Sequence, residues 1–495
     1  MREIIKAIFK TGSASIVSII LGVISTKILA VALGSSGMGL YSIINQTLST
    51  ATTAGTMGGQ TALVQGLASK KGNERDKYLI TVFWIFIFGA MATSLFFWIF
   101  SPLIAQTVFA SNDEETISLV RWITLPLTLT IIYSYFTNLL NGFKAIGRLA
   151  IAQVIVSFVT LLFVYPLFIL ASSGHTISFI FLISVSTMGG IIFSIIVAHK
   201  EKWLNPLIKD FIPKIDRGAM KHFYYMSRAR LATGLVTSGT LLVIRAMIIQ
   251  YEGFSSAGIF DVAWALSMTY IMLLLSSFGT YYLPTLSGIE DPQSRITLVQ
   301  ETLKMSLIIV IPLIITIIEL KPLVIAILYT HEFIKSLEIV RWMLIGDYLK
   351  VSSWILSIPM VAYADMKSFF WSEIIWNAGF LMISCLAIYY NHLEGIGISF
   401  LLMYAIYLVY MKIYCEVRFQ IPITKKMTLH WVAGLALVLA ASFYDWNTTV
   451  VSYSHAAVWI TCGCLVSWIS LEKDEKYELV KLIFGTKNGI KRQKF

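Results

Sequence analysis

Two basic side chains stand inside long apolar stretches of this sequence, Lys27 past the middle of the stretch 12–33 and Arg245 late in the stretch 223–250. A charge at the centre of a membrane helix costs about 2.5–3.5 kcal/mol on insertion scales, so each such residue needs a reason. Their positions correspond once the chain is divided into two halves, and the pairing points to two cations facing each other in the outer part of a membrane. That arrangement would hold an anionic group such as phosphate. The alternative is that each snorkels to an interface or pairs with a carboxylate such as Asp261. Asp347 and Lys350 lie three residues apart and share a helix face. They form either a neutral ion pair or a gating or proton-linked element. Arg121 and Arg341 each precede a tryptophan, which suits anchoring in an interfacial belt, with ligand contact as the alternative. Glu373 is placed to pair with Lys367 or to receive a coupling ion. A polar stripe of Ser42, Asn45, Ser49, Thr52, Thr56 and Gln60 runs down one helix at steps of three or four. It lines a hydrated path or, with Gly55, Gly58 and Gly59 interleaved, makes a close helix contact. The corresponding later helix offers Asp261, Trp264, Tyr270, Tyr281 and Tyr282, aromatic faces suited either to stacking or to a core.

Other chemistries lack their residues. No Gly-x-x-x-x-Gly-Lys-Ser/Thr loop occurs, and no polar segment is long enough for an ATPase domain. Cys385, Cys415, Cys462 and Cys464 fall in apolar segments without zinc spacing and read as small core residues. The seven histidines are scattered, with no nucleophile and base pattern. No metal or cofactor is expected. Asn447-Thr448-Thr449 matches a glycosylation sequon, a pattern frequent by chance.

The elements that position these residues follow from composition. The chain has 495 residues, 57% apolar and 13% charged, against roughly 25% charged in soluble domains. The apolar residues fall in runs of about 20, the length a helix needs to cross about 30 Å of hydrocarbon. About 14 membrane helices are expected, at 12–33, 39–67, 78–100, 117–140, 149–171, 176–198, 223–250, 256–283, 297–319, 337–361, 369–390, 395–416, 428–444 and 455–471. The segment 323–329 is expected as a short apolar piece at the surface. The net charge of +11 would suggest nucleic acid in a soluble protein, but its distribution is topological. With the N-terminus in the cytoplasm, all the lysines and arginines except Lys27, Arg121, Arg245, Lys321, Lys335 and Arg341 fall on the inner side. The outer loop at Asn112-Asp113-Glu114-Glu115 is acidic. Both termini are therefore expected in the cytoplasm, and nucleic acid is not an expected partner. Ala30-Val31-Ala32 resembles a signal cleavage site, but the apolar run is too long for a signal core.

An internal repeat organises the chain. Val120-Arg121-Trp122 recurs as Val340-Arg341-Trp342, Pro102-Leu103 as Pro322-Leu323, and Ile177-Ser178-Phe179 as Ile398-Ser399-Phe400. Gly39 recurs as Gly258, each two residues before an aromatic. All four matches share nearly one offset, a little under half the chain. Six helices per unit make the halves parallel, a pattern of secondary transporters. The expected divisions are an N-terminal lobe 1–200, a cytoplasmic linker 201–222, a C-terminal lobe 223–416, two additional helices in 417–471 and a basic tail 472–495.

Three segments carry a family resemblance: Lys27 through Gly34-Ser-Ser-Gly-Met-Gly39 to Tyr41, Tyr281-Tyr-Leu-Pro-Thr-Leu-Ser287, and Ile345-Gly-Asp-Tyr-Leu-Lys-Val351. Over roughly residues 1–416 the chain resembles the Wzx-type O-antigen and enterobacterial common antigen translocases of the multidrug/oligosaccharidyl-lipid/polysaccharide exporter superfamily. The resemblance implies two six-helix lobes in a V. It also implies flipping of an undecaprenyl-pyrophosphate-linked oligosaccharide from the cytoplasmic to the periplasmic leaflet of a bacterial inner membrane, coupled to an ion gradient. Basic cavity residues of that family are associated with the pyrophosphate, which fits Lys27 and Arg245. Implied partners are the lipid-linked oligosaccharide, the bilayer, and a polysaccharide polymerase or other assembly proteins. A lipid II-type flippase and a multidrug exporter of the same superfamily are the alternatives.

Overall fold

Each long apolar run becomes a helix, because a segment in hydrocarbon must satisfy its backbone internally. The computed structural model describes residues 2–172, 177–209, 215–390, 392–444, 452–471 and 476. The Tyr281 side chain, the sequon at 447–449 and the tail beyond 471 apart from Lys476 lie outside the described residues. The helices are α1 (Arg2–Gly55), α2 (Gln60–Ser69), α3 (Gly72–Ile99), α4 (Ser101–Val108), α5 (Glu114–Trp122), α6 (Thr124–Gly142), α7 (Ile146–Ser172), α8 (Ser178–Lys200), α9 (Asn205–Lys209) and α10 (Arg217–Ser287). They continue as α11 (Pro292–Leu328), a 3-10 turn at His331–Lys335, α12 (Ser336–Ala362), α13 (Met366–Tyr389), α14 (Gly395–Phe419), α15 (Lys425–Tyr444) and α16 (Tyr453–Ser470). There is no strand among the described residues. Two compact units result, one of residues 1–262, 325–336 and 370–396, the other of 263–324, 337–369 and 397–495.

Among the described residues, ten helical stretches are long and apolar enough to span a bilayer. The stretch Ile20–Gly55 has 36 residues, about 54 Å at 1.5 Å per residue and too long for one crossing. It is interrupted at Gly34 (φ 60°, ψ −168°), and α10 is interrupted at Gly253 (φ 84°, ψ 175°). Both conformations belong to a region essentially restricted to glycine. The ten stretches reach the expected fourteen only if each interrupted helix counts twice and α12 and α16 are added.

The repeat is visible in the backbone. Gly34 pairs with Gly253, the left-handed Lys144 with Ala364, and the left-handed Lys202 with Gln420, each at the offset of the sequence repeat to within a residue or two. Helices α6 and α12 end in the same Schellman closure, Ala145 N–H donating to Leu140 at 2.9 Å and Asp365 N–H to Met360 at 2.8 Å.

One sequence expectation is corrected. The segment 323–329 is not a separate piece between two spans: α11 runs unbroken through Pro322 to Leu328, with Ile325 and Tyr329 buried at 1% and 6% exposure and Ile327 59% exposed. Burying the Ile325 and Tyr329 side chains outweighs the single backbone hydrogen bond that a proline removes.

Candidate functional site

The break at Gly253 sets the first cluster. Arg245 and Asp261 stand eight residues to either side of it, so the reversal of direction brings the arms of α10 together, with Arg245 Nη2 2.7 Å from Asp261 Oδ1. The second arm of α1, after Gly34, supplies the rest. Arg245 Nε donates to Ser42 Oγ at 2.9 Å, Nη1 donates to Gln46 Oε1 at 3.1 Å, and the guanidinium lies over Phe260. Ser42 and Asp261 are equivalent positions of the repeat. One guanidinium is thus held by matching sites of the two halves, and it is only 4% exposed. Gln46 was not singled out by sequence, although it follows Ser42 by one helical turn; it also ties Nε2 to the Ser238 carbonyl at 2.8 Å.

Lys27 does not share this cluster's partners. Its Nζ donates to the carbonyls of Ala326, at 3.0 Å, and Tyr329, at the C-terminal end of α11, where unpaired carbonyls and the helix dipole favour a cation. A related contact occurs in the other half: Gln250 Nε2 donates to the Thr107 carbonyl at 2.6 Å, near the end of α4. Glu332 Oε2 accepts the Ser35 N–H at 2.9 Å, fixing the chain just after Gly34.

The remaining expected residues are dispersed. The Asn45 amide donates to Tyr41 of its own helix at 2.8 Å. Arg121 Nε donates to Ser101 Oγ at 3.1 Å and its guanidinium lies over Trp98, while its repeat counterpart Arg341 is buried at 4% exposure. Glu373 is half-buried on α13, and its carbonyl accepts from Asn377. Along the polar stripe, Thr56 bonds back to the Thr52 carbonyl of its own helix, and Gly55 meets α3 so closely that a Cβ on Gly89 would lie 1.9 Å from the Gly55 carbonyl oxygen.

The second unit carries its own buried polar cluster. Asp347 has no exposure, and its Oδ2 accepts from Ser267 Oγ and Tyr270 Oη, both at 2.7 Å. Its Oδ1 is buried with no hydrogen-bond partner. Lys350, one turn on, makes no ion pair with Asp347 among the described residues. Its Nζ lies 3.0 Å from Met268 Sδ and over the rings of Phe400 and Tyr404. Of the aromatics considered for stacking, Tyr270 is committed to Asp347, Tyr282 is fully buried, and Trp264 meets Phe400 edge-on. Lys321, expected in an outer loop, is fully buried in α11, as Glu319 nearly is. Neither burial shows in the sequence, because both depend on which helices cover α11.

A multi-span helical chain with buried basic residues narrows the field, and comparison with known proteins decides the family. Residues 4–290 match the polysaccharide biosynthesis protein family. The chain belongs to this family. A similar protein is the lipid III flippase of Escherichia coli (strain K12), 23% identical over 372 residues that cover 74% of this chain and 88% of the relative. Stage V sporulation protein B of Bacillus subtilis (strain 168) is 26% identical over 289 residues, 55% of each chain. Among solved structures, the lipid II flippase MurJ in an inward closed conformation aligns with a TM-score of 0.70 at 16% identity, covering 97% of this chain and all of that one. An inward-facing multidrug resistance MATE family transporter aligns with a TM-score of 0.66 at 14% identity over 81% of this chain and 94% of that one. The fold is therefore the helical membrane fold of these flippase and transporter structures.

Proposed function

We propose that this protein flips an undecaprenyl-pyrophosphate-linked oligosaccharide, an O-antigen repeat unit or a similar glycan, from the cytoplasmic to the periplasmic leaflet of a bacterial inner membrane. The observation that carries the reading is similarity over 88% of the length of a lipid III flippase, in a chain whose membrane region holds a desolvated guanidinium. We assign Arg245 to the substrate's pyrophosphate, since a planar fork of donors suits phosphate oxygens. In the unloaded protein Asp261 is its counter-ion, and a doubly charged phosphate group takes the place of the carboxylate. Lys27, committed to the end of α11, supports that helix. Transport is coupled to a proton gradient through Asp347, a buried carboxyl with one oxygen free to carry a proton.

The test uses proteoliposomes loaded with the lipid-linked oligosaccharide and a periplasmic-side glycan probe. Wild-type protein is expected to expose the glycan, and faster with an imposed proton gradient. Asp347→Asn is expected to lose the gradient dependence, whereas Arg245→Ala lowers transport at every gradient. A deletion strain with undiminished surface polysaccharide and no accumulated lipid-linked precursor would overturn the reading.

A further inference from the structure

A second cavity is lined by none of these residues. The N-terminal ends of α11 and α15 and the C-terminal end of α16 enclose a cavity of about 640 Å³. Basic groups mark its polar part: Lys304 from α11, and Lys426 and His430 from α15, with Glu301 the one carboxylate among the described lining residues. Thr297, Gln300 and Thr424 add neutral polar groups. The apolar part opens onto Leu429 and Ile469, which are 71% and 73% exposed. Side chains so exposed on membrane helices face lipid rather than water.

Ser470 Oγ donates to the Val466 carbonyl at 2.9 Å and lies 2.5 Å from His430 Nδ1, which ties α16 to α15 beside the cavity. The site therefore has two lysines for an anion and an apolar outlet for a chain.

We propose that this cavity binds one anionic phospholipid of the adjacent leaflet, with its phosphate between Lys304 and Lys426 and an acyl chain along Leu429 and Ile469. Basic pockets between membrane helices recognise anionic headgroups through this combination of charge and depth. Because the residues belong to α11, α15 and α16, an occupant would clamp the last two helices to α11. The site includes neither Arg245 nor Asp347, and its occupancy does not depend on the flipped substrate.

The experiment uses the full chain in neutral detergent, with phosphatidylglycerol or phosphatidylcholine added at equal concentration. The readouts are melting temperature and phospholipid retained in native mass spectrometry. Phosphatidylglycerol is expected to raise the melting temperature and to be retained, while phosphatidylcholine does neither. Lys304→Gln with Lys426→Gln is expected to weaken retention at least tenfold, with Lys200→Gln, an exposed lysine elsewhere, as the unchanged control. If the double variant does not fold, Lys426→Gln alone provides the comparison, since that side chain is exposed at the start of α15. Equal effects of the two lipids, or full retention by the charge-removed variant, overturn the proposal. So does the same melting shift with free glycerol 3-phosphate, which would make the occupant a soluble phosphate.

Discussion

Arg245 keeps only 4% of its surface exposed and lies against the Asp261 carboxylate. Removing one member of a buried ion pair typically costs about 3–5 kcal/mol, because the other charge is left uncompensated. Arg245→Ala is therefore expected to lower the melting temperature more than the double variant Arg245→Ala/Asp261→Ala, and thermal unfolding in detergent checks the order. If the single variant is as stable as wild type, the pair contributes nothing structural. A carboxylate outside the spans gives a prediction with pH. Asp365, in the turn after α12, accepts from the Tyr414 hydroxyl and the Ser368 N–H, with Arg418 nearby. The Tyr414 hydrogen bond is the main reason its carboxyl sits below the usual carboxylate value. The folded form thus holds its proton less tightly than the unfolded form. The stabilisation is present above the ordinary carboxyl pKa of about 3.9 and disappears as pH falls through the lower folded value. Asp365→Asn should melt below wild type at pH 7, with the gap closing toward pH 3.

At the scale of elements, the repeat produces a paired helix crossing. A Cβ on Gly39 would lie 1.9 Å from the Phe254 carbonyl oxygen, and one on Gly258 would lie 2.1 Å from that of Ser35. Phe254 and Ser35 are themselves repeat equivalents, and the Ser35 and Ser255 hydroxyls bond at 2.7 Å between them. Backbone approach this close needs small residues, as in small-xxx-small contacts between membrane helices. Gly39→Val or Gly258→Val should each cost about 1–3 kcal/mol through overpacking. Gly253→Ala is expected to be destabilising although nothing lies near its Cβ position, because alanine does not adopt its backbone angles. Melting temperatures of the three variants test this; an unchanged Gly253→Ala would mean the turn relaxes freely. Sequence comparison finds the Gly39 and Gly258 match, but not that the two glycines touch.

For the whole molecule, the distribution of lysine and arginine makes a claim about orientation. A cysteine introduced at Asn112, in the acidic 110–113 turn, should react with an impermeant maleimide from the periplasmic side. One introduced at Gly72, beside Lys70 and Lys71, should react only after the membrane is opened. The reverse pattern would invert the proposed topology and the direction of flipping with it. The first unit draws on both halves of the repeat: Lys27 closes the helix end at Ala326 and Tyr329, while Gln250 reaches Thr107.

By itself the sequence determined the helical membrane class, the repeat and the scarcity of charge, because these follow from apolar run length and from the cost of burying a charge. Residue spacing also identified Arg245, Asp261, Asp347 and Lys350 as unusual. Only the tertiary structure decided their partners. Arg245 meets Ser42 and Gln46 from the opposite half of the repeat, and Lys350 turns from Asp347 toward a thioether and two rings. Contacts so distant along the chain depend on how helices cross, and a periodic pattern along one helix carries no information about the helix that will cover it.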